Sequence, residues 1–211
     1  AFSDPVDGKL VVITTTDGGE NWQQLPPEKI PPATEGEYAF AASGTCIVVG
    51  GAKNAWIATG GAAARVFHSA DRGQTWAVYN TPMRCGTLSS GIFSLAFRDT
   101  QNGIAVGGDY QNPEIAKDNL ARTTDGGKTW HLLDNPQSVA YRSCVRYIQH
   151  GKFSLLVAVG RSGCSYSIDD GLTWQDFGDQ VFYTLAVSPS GQFALAAGSE
   201  GRVARLIITP E

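Results

Sequence analysis

The sequence predicts an all-β chain built from a repeated small antiparallel sheet, and three observations predict it. A phrase of the form Ser/Thr-x-Asp-x-Gly-x-Thr/Asn-Trp occurs four times: Thr15 to Trp22, Ser69 to Trp76, Thr123 to Trp130 and Ser167 to Trp174. The tryptophans stand 54, 54 and 44 residues apart, a recurrence that signals a repeat architecture. Runs rich in β-branched and aromatic residues flank each copy, such as Lys9 to Ile13 before the first and Trp76 to Tyr79 after the second.

The phrase has a local physical role. An aspartate side chain accepts from backbone amides just ahead of it, and glycine takes positive φ without steric cost, so the two fix a tight turn between strands. Asp17, Asp71, Asp125 and Asp169 are therefore expected to hold turns. Trp22, Trp76, Trp130 and Trp174 each open the outgoing strand, where an indole can bury on the order of 200 Å² between neighbouring sheets.

The four phrases resemble the Asp-box, or BNR, repeat of sialidases, sortilin-type receptors and the photosystem II stability and assembly factor family with its non-photosynthetic bacterial relatives. Copies two to four match at every fixed position, and the first departs only at Asn21. The resemblance implies a β-propeller of four-stranded antiparallel blades with the Asp-box turns on its rim. It also implies an extracytoplasmic, periplasmic or secreted, protein.

Aligning the repeats supplies the other strands. Phe93 to Phe97, Gly103 to Gly108, Asn119 to Thr123 and Trp130 to Leu133 form one four-stranded unit. Ser143 to Ile148, Phe153 to Gly160, Cys164 to Ile168 and Trp174 to Phe177 form the next. An earlier unit runs Tyr38 to Val49, Ala55 to Gly60, Ala64 to Ser69 and Trp76 to Tyr79. The units fall at about 1–30 (partial), 36–82, 89–136, 138–179 and 181–209 (partial) of a single domain. The expectation is about five blade units of a seven-bladed propeller, with a four- or five-bladed closure as the alternative. Residues 25–32, rich in proline, read as a stiff, extended inter-blade loop. Open sheet edges would leave strands free to pair with another chain.

Composition narrows the partners. Sixteen basic and twenty acidic side chains give a net charge of −4 without a basic cluster, which argues against nucleic acid. No apolar run approaches the 18 residues or so of a membrane-spanning helix. Cys46, Cys85, Cys144 and Cys164 show neither CxxC spacing nor nearby histidines, so no metal site is expected. Cys144 and Cys164 fall on the first and third strands of one unit, about 9–10 Å apart and beyond disulfide reach. Gly50-Gly51, Gly60-Gly61 and Gly107-Gly108 follow strands but open no helix, so no dinucleotide or other cofactor is expected.

Two functional classes remain. A sialidase-like hydrolase needs an arginine triad, a tyrosine nucleophile paired with a glutamate, and an acid. The sequence offers Glu37, Tyr38, Arg98, Tyr141, Arg142 and Tyr183 but no Arg-Ile-Pro motif, and His68, His131 and His150 have no nucleophile elbow nearby. The favoured reading is a non-catalytic scaffold that binds a protein, glycan or small ligand on the funnel face opposite the Asp-box turns, with an assembly or stability factor as one form of it. First-strand starts place Glu37, Ser89, Ser90, Tyr141, Arg142, Phe182 and Tyr183 there, and second-to-third-strand loops add Asp4, Asp109, Tyr110, Arg161 and Glu200. Arg142 is the leading candidate, its guanidinium expected to face a pocket and grip a carboxylate or phosphate, against a solvated side chain or a pairing within the chain, for example with Glu37.

Overall fold

A computed structural model describes residues 1–40, 44–133, 139–150 and 153–208, with the side chains of 150 and 153 outside the description. Unit boundaries expected at 136, 138 and 209, and the middle of the strand expected from Tyr38 to Val49, lie outside the described residues, as does the side chain of His150.

Five antiparallel sheets succeed one another along the chain. The first contains β1 (Phe2–Val6), β2 (Lys9–Thr14) and β3 (Gln23–Gln24). After β4 (Glu37–Tyr38), the second contains β5 (Ile47–Gly50), β6 (Asn54–Ala58), β8 (Arg65–Ser69) and β9 (Ala77–Asn80), with the short β7 (Gly60–Gly61) between β6 and β8 in the chain. The third runs β10 (Ser90–Phe97), β11 (Gly103–Asp109), β12 (Leu120–Thr123) and β13 (His131–Leu132). The fourth runs β14 (Cys144–His150), β15 (Phe153–Gly160), β16 (Gly163–Ser167) and β17 (Gln175–Gly178), and the fifth β18 (Thr184–Val187), β19 (Phe193–Ala197) and β20 (Val203–Ile207). First strands of successive sheets adjoin: Leu95 N–H donates to the Thr45 carbonyl at 3.0 Å, and Val145 N–H to Ser94 Oγ at 3.0 Å. This is the blade arrangement of a propeller, with the Asp-box turns closing the hairpins between third and fourth strands.

Each turn is wired as its sequence requires. Asp71 Oδ1 accepts from the amides of Gln74 and Thr75 at 3.0 and 2.9 Å, while Oδ2 accepts from Thr75 Oγ1 at 2.5 Å. Asp125 repeats the pattern with Lys128 and Thr129. In the first copy Asn21 substitutes for threonine by donating from Nδ2 to Asp17 Oδ2 at 2.7 Å. Gly73 takes φ +81°, a value that L side chains rarely adopt. Every box tryptophan donates from Nε1 to its own turn, Trp130 to Gly127 O at 3.0 Å for example.

Three of the tryptophans then define how sheets stack, because each packs back onto the preceding sheet. Trp76 joins Leu10, Val12, Ile57 and Phe67 between sheets one and two. Trp130 joins Trp56, Val66, Ile92 and Leu95 between two and three, and Trp174 joins Ile104, Leu120, Val145 and Leu156 between three and four. Their exposures are 9%, 6% and 2%, whereas Trp22, with no described sheet before it, is 51% exposed. Between sheets four and five the cluster of Val157, Val159, Phe182, Leu185 and Ala196 contains no tryptophan.

Two expectations require revision. Tyr38 to Val49 is not one strand: β4 pairs with β7, β7 pairs with β10, and this ladder ties the segment to the third sheet. The cause is the Gly60-Gly61 pair. A Cβ on Gly60 would lie 2.0 Å from the Phe40 ring and one on Gly61 2.3 Å from Gly36 O, so only glycine permits the crossing. The proline-rich loop, expected to be extended, carries a 3-10 turn at Pro27–Lys29. The cysteine geometry is as expected: Cys144 and Cys164 pair on opposite sides of Val159, and both are free and buried.

Candidate functional site

The face opposite the Asp-box turns is organised around the loop after β11. Asp109 is buried and accepts from the Gln111 amide at 2.9 Å and Asn112 Nδ2 at 3.0 Å. Burial acts to raise its pKa, but these bonds and one from the Ser89 side chain outweigh burial and hold the carboxyl below its usual range. The loop is also tied to the next blade. Arg161 Nη1 donates to Tyr110 O at 3.2 Å, Ser162 Oγ to Pro113 O at 2.8 Å, and the Tyr141 amide to Pro113 O at 2.9 Å.

Aromatic rings fill the space beneath. Phe40 stacks on Phe93 at 4.0 Å between centroids, and Tyr141 and Tyr110 meet Phe93 edge-on at 5.0 and 6.1 Å. Tyr141 is buried, which pushes its phenol well above the ordinary value despite the pull of Arg161; Tyr110 and Tyr183 add to the rise. Tyr38, Tyr110 and Tyr183 are 36%, 36% and 44% exposed, and Arg161 is exposed as well. Exposed Tyr110, with Arg161 holding its carbonyl, therefore borders a buried aromatic group.

The other expected site residues point elsewhere. Arg142 is 1% exposed, and its guanidinium donates to Ser165 Oγ from Nε and Nη2 at 3.1 and 2.6 Å, to Tyr141 O from Nη1 at 3.1 Å, and to Asp176 Oδ1 at 3.2 Å. The side chain reaches outward across its own sheet to β16 and β17 instead of into the funnel. Desolvation lowers its pKa, opposed by Asp176. Glu37 is bound not by Arg142 but by the Arg65 guanidinium, with Thr59 Oγ1 at 2.5 Å and the Thr34 amide at 2.8 Å completing its shell. Ser90 is fully buried and bonded to Thr87. Sequence reasoning missed Arg65, Phe40 and Phe93; the Gly60-Gly61 pair was the available signal, since adjacent small residues mark where another backbone and a ring close in.

Arg98 and Arg122 do converge, but on the Asp-box face. They meet Asp170 Oδ2 at 3.1 and 2.8 Å, and Tyr147 OH donates to Oδ1 at 2.7 Å. Among the described residues no cluster of His, Cys, Asp and Glu is arranged to hold a metal ion, and no helix is long and apolar enough to cross a membrane.

Fold and turn chemistry together define an Asp-box repeat β-propeller chain. The model of the BNR/Asp-box repeat family matches residues 121–132, the third box and its flanks. The chain is similar to the solved structure of YCF48 bound to D1 peptide, at 25% identity and a TM-score of 0.50 over 72% of this chain and 48% of that one. It is also similar to the GH74 enzyme of Niastella koreensis, at 14% identity and a TM-score of 0.58 over 98% of this chain and 37% of the enzyme. For the NanB sialidase of Streptococcus pneumoniae the values are 16% and 0.57 over 90% and 33%. The chain thus spans about half the length of the first and about a third of the other two. The two hydrolase likenesses concern the fold alone. A comparison with curated proteins gave no match.

Proposed function

We propose that this chain is a non-catalytic propeller scaffold that binds an extended segment of a partner protein on the face carrying Tyr38, Tyr110, Tyr183 and Arg161. The observation that carries the reading is the division of labour on that face. Its buried carboxylates, Glu37 and Asp109, are engaged by neighbours, while Tyr38, Tyr110, Tyr183 and Arg161, whose Nη1 holds the Tyr110 carbonyl, are exposed at the surface. Tyrosine and arginine are the side chains that anchor protein contacts most effectively. Support comes from YCF48, whose structure holds a peptide. An assembly or stability role in an extracytoplasmic compartment accords with that likeness.

A sialidase-like hydrolase is the second reading, favoured by the NanB likeness. Against it, the two arginines that converge do so on Asp170 at the Asp-box face. The test is an immobilised peptide array probed with the wild-type chain and with a Tyr110→Ala/Arg161→Glu variant, alongside a fluorogenic α-sialoside assay. Selective peptide capture lost in the variant is expected. Capture unchanged by the variant, or turnover of the sialoside above the protein-free rate, would overturn the proposal.

A further inference from the structure

The Asp-box turns are built alike, but the gaps beside them are filled differently. At the rim between sheets three and four, Arg122 of the earlier sheet meets Asp170 of the later one at 2.8 Å, and Tyr147 OH donates to the same carboxylate at 2.7 Å. Register identifies the matching positions between sheets two and three. His68 corresponds to Arg122, each preceding the first residue of its box, and Gly126 to Asp170, each following the box aspartate. Phe97 corresponds to Tyr147, because both align through the second strand with the first box residue. A glycine and a phenylalanine cannot rebuild the ionic bridge. Opposite His68 stands Ala77, where the bulkier His131 stands opposite Arg122.

These replacements leave a cavity of about 410 Å³ between two sheets that both carry their fourth strands. Its size falls within the range of small-molecule sites. The walls are held in place. Asp99 accepts from the Gln101 and Asn102 amides at 2.7 and 2.8 Å, and the Gly126 amide donates to Gln101 O at 2.9 Å, so loop and box turn form one wall. On the other, the half-buried His68 ring stacks on Trp56 and pairs its Nε2 with Asn54 Oδ1 at 2.9 Å. That bond needs the proton on Nε2, which leaves His68 Nδ1 an acceptor and Asn54 Nδ2 a donor.

Charge and hydrogen-bonding capacity describe the occupant. Burial, then Lys128, lowers the His68 pKa, so the imidazole is neutral at pH 7. Lys128 is balanced by Asp125, whose carboxyl, at about 2, is ionised and whose oxygens are committed to the box turn. The lining thus has no net charge, yet Tyr79 OH, Gln101 Oε1 and Lys128 Nζ have no hydrogen-bond partner among the described residues. Donors and acceptors are mixed around an aromatic side chain.

We propose that this cavity is a binding site for a neutral saccharide of one or two rings, independent of the tyrosine face. Sugar hydroxyls both donate and accept, which suits Asn54, His68, Gln101 and Lys128, and the apolar face of the sugar ring rests on Tyr79.

The test is saturation-transfer NMR on the whole chain, titrated with maltose, cellobiose and lactose, with glucose 6-phosphate and N-acetylneuraminic acid as charged comparators. Saturable binding of at least one neutral disaccharide is expected. It should weaken at least about tenfold in Gln101→Ala/Lys128→Ala, which removes hydrogen bonds from two exposed side chains, and in Ala77→Trp, which fills the cavity. The first variant should keep the wild-type melting temperature; if Ala77→Trp does not fold, the first variant decides. Tyr110→Ala/Arg161→Glu should bind as the wild type does, which separates this site from the peptide face. Absence of saturable binding by all three disaccharides, undiminished binding in Gln101→Ala/Lys128→Ala, or tighter binding of a charged comparator overturns the site.

Discussion

The indole Nε1 of Trp56 in the second sheet donates to the carbonyl of Gly126, in the Asp-box turn of the third, at 2.8 Å. Trp56 is fully buried, stacked between His68 and Phe97 at 5.1 and 3.8 Å, so a single side chain fastens one blade to the turn of the next. Trp56→Phe keeps an aromatic ring but removes the donor and leaves Gly126 O buried without its partner. The expected loss is about 2 kcal/mol in urea unfolding. A change within error of zero would mean that the hydrogen bond contributes nothing at this junction.

The tryptophans of the boxes should differ in cost although their sequences match. Trp130→Ala removes a buried ring and is expected to cost about 3–5 kcal/mol. Trp22→Ala removes one that is 51% exposed, and should cost less than about 1 kcal/mol. Equal losses at the two positions would show that the indole acts on its own turn and not on the sheet behind.

Acid should loosen the turns in a defined window. The Asp71 and Asp125 carboxyls sit at about 2; burial acts to raise them, and bonds from Thr75 and Ser69, or Thr129 and Thr123, outweigh it. The unfolded value is near 3.9, so between about pH 4 and pH 2 the unfolded chain binds more protons. Stability from these groups is thus level above about pH 5 and lost as pH falls through about 2. An Asp71→Asn/Asp125→Asn variant should be less stable at pH 7 yet show a shallower acid decline, read from urea midpoints across the range. Parallel declines would assign the acid sensitivity elsewhere.

Tyr147 and Asp170 should be energetically coupled. Burial and the Asp170 carboxylate both push the Tyr147 phenol far above its ordinary value, and Arg98 and Arg122 hold the same carboxylate. A double-mutant cycle of Tyr147→Phe and Asp170→Asn should return a coupling of at least about 0.5 kcal/mol. Additive losses would reduce the bond to a bystander of the arginine contacts.

Two arginines near the tyrosine face should respond oppositely to charge reversal. Arg142→Glu places a carboxylate in a buried site beside Asp176 and is expected to prevent stable folding at 37 °C. Arg161→Glu alters an exposed side chain and should leave the melting temperature within a few degrees of the wild type. Folded Arg142→Glu protein with a wild-type melt would contradict the burial that the geometry assigns.

How much was legible in the sequence follows the range of the interactions. The Asp-box turns close within eight residues, so Asp71 and Trp76 announce hairpin, turn and stacking ring together, and the strands of sheets three and four follow with boundaries shifted by a few residues. Glu37 was not legible in the same way, because its partner Arg65 lies 28 residues ahead and meets it only after β4 crosses to β7. Arg142 lies just before β14, and its direction was not legible, since a long guanidinium side chain can turn toward the axis or lie along the sheet, and the choice is made by Ser165 and Asp176 from strands distant in sequence.

The backward reach of Trp76, Trp130 and Trp174 gives sheets one to four a direction, like overlapping roof tiles in which each pins the one laid before it. Coupling then passes between adjacent tiles, so that stability divides into tile and junction contributions. Hydrogen exchange should accordingly be slower in sheets two and three, each joined by a box tryptophan on both sides, than in sheet five, whose junction with sheet four contains none.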